Sequence, residues 1–220
     1  MTAPGVWAAG VLMGYCFGCL DAAWIIGFMN GVDIKKAGNK NAGAGNALMT
    51  MGLKAGILTA AWDILKSVFA YGMLAYVFHG SRPVCILAAG MSVVGHVWPF
   101  WLYFDGGKGF APYIGFLLCL DLKAALCFAA VGGALAAVTD KIVAFTFLCL
   151  IAGPAVAWIF GPGMFPCVLA AGLSLICFFR HRENIVNLIC CREPSLRASF
   201  RQGRNRNDKG DNPDHDLGTR

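Results

Sequence analysis

Val93-Val94-Gly95-His96-Val97-Trp98-Pro99-Phe100-Trp101-Leu102-Tyr103-Phe104-Asp105-Gly106-Gly107-Lys108-Gly109-Phe110-Ala111 is the stretch on which the reading of this chain turns. It joins one membrane-length apolar run, residues 83–104, to the start of another at Phe110. A histidine, a lysine and several glycines stand at that junction. Ionisable groups at the edge of apolar spans are expensive and tend to mark function.

Outward from this knot the chain is greasy. Its 220 residues are 58% hydrophobic and 14% charged, with a mean hydropathy of +0.63. A membrane span takes roughly 20 apolar residues. Residues 5–29, 53–78, 83–104, 110–120, 122–138, 142–160 and 164–179 fit that pattern, and predict an all-α integral membrane protein of about seven transmembrane helices. The run at 110–120 is short, so it is expected to be tilted, or broken at Pro112 and supported by neighbours. No positive residue precedes the first run, and Asp21 lies inside it. It reads as a retained helix rather than a signal peptide.

Positive charge sets the orientation. With the N-terminus outside, the inner segments hold Lys35, Lys36, Lys40, Lys54, Lys108 and Lys141, and the C-terminal region adds a run of arginines from Arg180. The outer loops hold only Arg82 and Lys123. The C-terminus and all the polar motifs are therefore expected on the cytoplasmic face. The chain divides into a membrane domain, 1–196, and a polar basic tail, 197–220. That tail is too poor in apolar residues to bury a core and is expected to be disordered. Its basic first half is expected to sit against anionic lipid. The ten cysteines lack paired metal spacing and read as small packing residues.

Three polar motifs share the inner face. The first runs through Lys36, Gly38, Asn39, Lys40, Asn41, Gly43, Ala44 and Asn46, with no apolar period, so it is expected to be a loop. Its glycines can turn backbone N–H groups toward an anion. The second is the opening knot, where Gly106, Gly107, Lys108 and Gly109 precede a helix and His96 closes the preceding span. It is not a P-loop, since Phe110 rather than Ser or Thr follows Gly109. The third is Arg180-His181-Arg182-Glu183-Asn184; on a helix His181 and Asn184 share a face. Inside the second span Asp63 and Lys66, three apart, are placed to pair.

In this order the motifs resemble those of the bacterial acyl-phosphate:glycerol-3-phosphate acyltransferase family, over roughly residues 15–195. The closest stretch is VVGHVWPFWLYFDGGKGFA, and RHRENIVNL is similar to the family's third motif. There are departures. Asn39 stands at a family serine, Lys40 and Cys191 at glycines, Gly45 at a threonine and Met49 at an arginine. Asp105 and Ser195 stand at lysines, and Asn187 at an arginine. The resemblance implies acyl transfer from an acyl phosphate to the 1-hydroxyl of glycerol 3-phosphate, giving lysophosphatidic acid. It implies no cofactor, no metal and no nucleic-acid partner, with the lipid bilayer of the cell's inner membrane as the setting.

It also implies site roles. His96 or His181 donates hydrogen bonds or moves the hydroxyl proton, Lys108 neutralises phosphate and Asn184 orients the acceptor. The first-motif residues, with Gly106, Gly107 and Gly109, hold substrate. No serine or cysteine in the motifs has an activating base beside it, so direct transfer without an acyl-enzyme is expected. The lost cations leave a rival reading: an altered paralogue that binds lipid phosphate without turning it over.

Overall fold

Residues 4–209 are described in the computed structural model of the chain. Helix α1 (Pro4–Cys19) and α2 (Ala22–Met29) divide the first apolar run. Asp21 sets the break: its carboxylate accepts from the Trp24 N–H at 3.1 Å and caps α2. The helices that follow are α3 (Ala44–Met51), α4 (Leu53–Tyr76), α5 (Arg82–Val97), α6 (Phe110–Leu120), α7 (Leu122–Thr139), α8 (Ile142–Phe160), α9 (Met164–Arg180), α10 (Arg182–Ile189) and α11 (Leu196–Lys209). There is no strand among the described residues.

The expected seven spans resolve unevenly. Pro4–Met29, Leu53–Tyr76, Arg82–Leu102, Leu122–Thr139 and Ile142–Phe160 are long and apolar enough to cross a bilayer. Helices α9 and α10 supply a sixth only if joined across a 58° bend. Helix α6 has 11 residues, about 16 Å of helix against a hydrocarbon core of about 30 Å. It is not broken at Pro112. That proline lies in the first turn, where its missing N–H leaves no bond unmade. Tyr113, Phe116, Leu117 and Leu120 are buried among α4, α5, α7 and α8, so α6 is a half-span enclosed by the bundle.

Helix α1 packs chiefly on α5. Gly14 and Gly18 lie against the Ala88 and Ser92 carbonyls, and Gly95 against that of Tyr15. A methyl group at any of them would collide with backbone, so the two helices meet through small residues. Outward-facing Ile57, Leu58, Val131, Ile151, Trp158 and Val168 suit contact with lipid. At the end of the bundle away from the motifs, the Arg82 guanidinium donates to the carbonyls of Leu120 at 2.8 Å and Phe160 at 3.3 Å, tying three chain reversals together. All ten cysteines are free.

The expected disorder from residue 197 does not hold through Lys209, where α11 forms. Ser195 Oγ accepts from the Ala198 N–H at 3.1 Å, and Asp140 accepts from the Arg197 N–H at 2.9 Å, so the helix start is capped twice. Gly203 lies against Leu48, and Arg206 donates to the Thr50 carbonyl at 2.7 Å. Tertiary contact overrides a composition that reads as unstructured. Residues 210–220, the rest of the expected tail, lie outside the described residues.

Candidate functional site

The first motif loop, 31–43, is shaped from beneath by Asn46 on α3. Its amide oxygen accepts from the Asn39 N–H at 2.9 Å, and its amide nitrogen donates to the Ile34 and Ala37 carbonyls, each at 3.0 Å. Asn46 is fully buried, so it holds the loop in shape and does not face a substrate, contrary to expectation. Gly38 has φ +57, and a methyl there would strike the Asn46 oxygen. The expected loop also ends early, because Gly43 caps α3 and Ala44 opens it.

The second motif folds back on the end of α5. Gly106 N–H donates to the Val97 carbonyl at 3.1 Å, and Gly107 N–H to the His96 carbonyl at 3.0 Å. A methyl on Gly107 would meet both His96 Nε2 and the Ala42 carbonyl, so this one residue joins the first two motifs to the histidine. The expected Asp63–Lys66 pair is present at 2.9 Å, with both side chains buried. Lys66 Nζ also donates to the Gly18 carbonyl at 3.0 Å and to His96 Nδ1 at 2.7 Å. An ammonium is only a donor, so His96 Nδ1 is an acceptor and its proton sits on Nε2. His96 is 3% exposed; it presents an N–H to the glycine turn rather than a free lone pair.

The third motif does not lie on one helix. The chain bends at His181, which ends α9 and starts α10. His181 Nδ1 is 2.7 Å from the Cys177 carbonyl and must donate to it. In the neutral ring Nε2 then carries the lone pair. The two histidines are thus in opposite tautomers.

Long-range polar contacts bind the three motifs together. Lys108 donates to Asn184 Oδ1 at 2.5 Å, and Asn184 Nδ2 donates to Glu193 at 2.8 Å. Lys141 donates to the Glu193 carbonyl. Asp105 pairs with Lys35 at 2.8 Å and with Arg180 at 3.1 Å, and Arg180 also donates to the Gly106 carbonyl. Burial lowers the Lys108 pKa below the ordinary lysine range, against the opposing carboxylates of Glu183 and Glu193. Burial acts to raise Asp105, but Lys35 and Arg180 outweigh it and hold that carboxyl below its ordinary range.

His96, Lys108, His181, Asn184, Gly106 and Gly107 are therefore brought together, with Gly109 against Cys177 just below His181. Asn39 and Asn41 stay on the first loop, bonded to each other at 3.2 Å. Lys36 and Lys40 project into solvent; among the described residues Lys36 pairs only with Asp33. Four residues complete the cluster without having been named as site residues: Lys35, Asp105, Arg180 and Glu193. For Glu193 the one sequence signal is a lone acid in a basic segment. The departures at glycine positions also gain a meaning. Lys40 has φ 58 and Cys191 φ 54, both in the left-handed region that glycine enters freely.

Fold and site together define a polytopic helical membrane protein that gathers glycine-lined, cationic loops at one end of its bundle. Residues 8–190 match the family model for glycerol-3-phosphate acyltransferase. Glycerol-3-phosphate acyltransferase 1 of Oceanobacillus iheyensis is 32% identical over 86% of this chain and 94% of its own length. The glycerol-3-phosphate acyltransferase of Agrobacterium fabrum is 35% identical over 89% and 94%. Crystal structures of PlsY (YgiH), an integral membrane glycerol 3-phosphate acyltransferase, are similar to the whole bundle. The glycerol 3-phosphate form superposes with a TM-score of 0.79 and the lysophosphatidic acid form with 0.77, each at 25% identity over 86% of this chain and 94% of that one. The chain belongs to the glycerol-3-phosphate acyltransferase family.

Proposed function

We propose that this chain transfers a fatty acyl group from an acyl phosphate to the 1-hydroxyl of glycerol 3-phosphate, releasing lysophosphatidic acid and phosphate. The observation that carries the proposal is the meeting of all three motifs at Gly107, His96, Lys108 and Asn184 in a chain of this family. The bundle sits in the cell's inner membrane with this end toward the cytoplasm, an orientation supported by the excess of Lys and Arg at this end.

The donor is already activated, so the protein's task is to hold two phosphates together and steady an oxyanion. The acceptor hydroxyl oxygen attacks the acyl carbonyl carbon while His181 Nε2, which carries a lone pair, takes the hydroxyl proton. The carbonyl oxygen becomes an oxyanion facing the glycine turn, with the His96 Nε2–H beside it. The bond from carbon to the phosphate oxygen then breaks, the carbonyl re-forms, and the proton passes from His181 to the departing phosphate. Lys108, held by Asn184, balances phosphate charge throughout.

The test is product formation by the purified full chain in detergent or lipid, with acyl phosphate and glycerol 3-phosphate supplied. No lysophosphatidic acid, under conditions where the Agrobacterium fabrum relative makes it, overturns the proposal. Lys108→Ala and His96→Ala are each expected to lower the rate at least about tenfold, about 1.4 kcal/mol of transition-state stabilisation. Full activity in both places the site elsewhere. One observation favours the altered-paralogue reading: Asp105 occupies two cations, Lys35 and Arg180, beside the glycine turn.

A further inference from the structure

Helix α11 lies wholly beyond the 8–190 stretch that matches the family. Together with the start of α4 and the end of α7 it encloses a groove of about 420 Å³. The floor is apolar, formed by Leu53, Ala137, Leu196 and Phe200. Arg197, Arg201 and Arg204 line the rim.

The rim charges are not equivalent. Arg197 is committed to the fold, since its guanidinium donates to the Ala137 carbonyl at 3.2 Å. The carboxylate of Asp140, which also lines the groove, accepts from the Ser195 hydroxyl at 2.5 Å and from the Arg197 N–H at 2.9 Å. Arg201 and Arg204 are exposed and make no hydrogen bond or ion pair among the described residues. Two uncommitted guanidiniums above an apolar floor match a phosphate attached to hydrocarbon.

The surroundings extend that match. Ile57 and Leu58 on α4 and Leu135 and Val131 on α7, the two helices that flank the groove, are exposed apolar side chains. The groove stands at the same end as the polar motifs, where Asp140 caps the end of α7 and Leu53 begins α4. A basic helix at a membrane face attracts anionic lipid by charge, and these apolar side chains suit its acyl chains.

We propose that this groove binds an anionic phospholipid of the surrounding membrane, with its phosphate between Arg201 and Arg204 and its acyl chains along α4 and α7. The site is separate from the three motifs and does not depend on the acyltransferase reading. Native mass spectrometry of the full chain from detergent, with equal phosphatidylglycerol and phosphatidylcholine of matched chains, tests it. The wild type is expected to retain phosphatidylglycerol at least about fivefold over phosphatidylcholine, a difference of about 1 kcal/mol. The double variant R201Q/R204Q is expected to lose that preference while melting within a few degrees of wild type. K123Q/R192Q, which removes two exposed cations elsewhere, is expected to keep it. Millimolar inorganic phosphate is expected not to displace the lipid.

Equal retention of the two lipids by the wild type overturns the proposal. So does an equal loss in both double variants, which would reduce the effect to overall charge. Displacement by phosphate overturns it too, because the hydrocarbon would then contribute nothing.

Discussion

The buried Asp63–Lys66–His96 network makes a prediction that separates folding from chemistry. Lys66 Nζ has three protons and three acceptors: Asp63 at 2.9 Å, the Gly18 carbonyl at 3.0 Å and His96 Nδ1 at 2.7 Å. The lysine side chain is 0% exposed. Asp63→Asn keeps the shape and the acceptor oxygen and removes only the negative charge. Asp21 is also buried and feels the Lys66 charge, but it makes no ion pair with Lys66 among the described residues, so the ammonium loses its contacting counter-charge. Breaking one side of a buried pair costs about 3–5 kcal/mol. In a chain of this size about 1 kcal/mol moves the melting temperature by roughly 2–4 °C, so the drop is roughly 6–20 °C.

Removing both charges should undo part of that loss, because no uncompensated charge is left buried, although the Gly18 carbonyl and His96 Nδ1 then lose their donor. D63N/K66M is therefore expected to melt above the single variant and below wild type. Its rate of lysophosphatidic acid formation is nevertheless expected to fall at least about tenfold, because His96 Nδ1 has lost the donor that fixes its tautomer. Thermal melting in detergent and initial rates, measured on the same preparations, read the two effects separately. A single variant that melts within about 3 °C of wild type refutes the claim of a charged buried pair. A double variant with full activity refutes the claim that the pair orients His96.

Other expectations follow from the loops. Burial lowers the Lys108 pKa, so its ammonium deprotonates at lower pH than an ordinary lysine, and kcat/KM should fall on the alkaline side before pH 10.5. Lys108→Arg should move that limb upward, and an unmoved limb assigns it to another group. Asp105→Asn frees Lys35 and Arg180 and should lower the KM for glycerol 3-phosphate roughly tenfold, taking one charged contact at about 1.5 kcal/mol. A raised KM would instead make Asp105 an organiser of those cations. Lys40→Gly and Cys191→Gly each relieve a left-handed backbone and should each raise stability by about 1 kcal/mol, read by melting. No gain in either would mean that the local turns already absorb the strain.

Much of this was legible in the sequence, for reasons that also explain what was not. Long apolar runs and the bias of Lys and Arg carry the membrane class, because bilayer crossing depends on length and hydropathy alone. The Asp63–Lys66 pair was legible because three residues of helix fix its geometry. The break at Asp21 was hidden, since hydropathy counts apolar residues and does not see a capping carboxylate. Helix α11 was hidden because the contacts that hold it come from Leu48, Thr50 and Asp140, far away in the chain. The Lys35–Asp105–Arg180 cluster spans three motifs, so no local pattern encodes it. Asn46 was legible as important but not as structural, since burial decides between those roles.

The shortness of α6 bears on how two unlike reactants meet. Its Leu120 end is fastened by Arg82 at the end of the bundle away from the motifs, and its length is only about 16 Å where a bilayer-crossing helix needs about 30 Å. The glycine turn before Phe110 is therefore set back along the bundle from the Leu53 end of α4, whose 24 residues make about 36 Å of helix. A lipid-soluble donor can enter sideways with its chain still in the bilayer, while a water-soluble acceptor descends from the open end. On the proposed function, reaction would then happen where the two solvents touch, and neither reactant would have to leave its own.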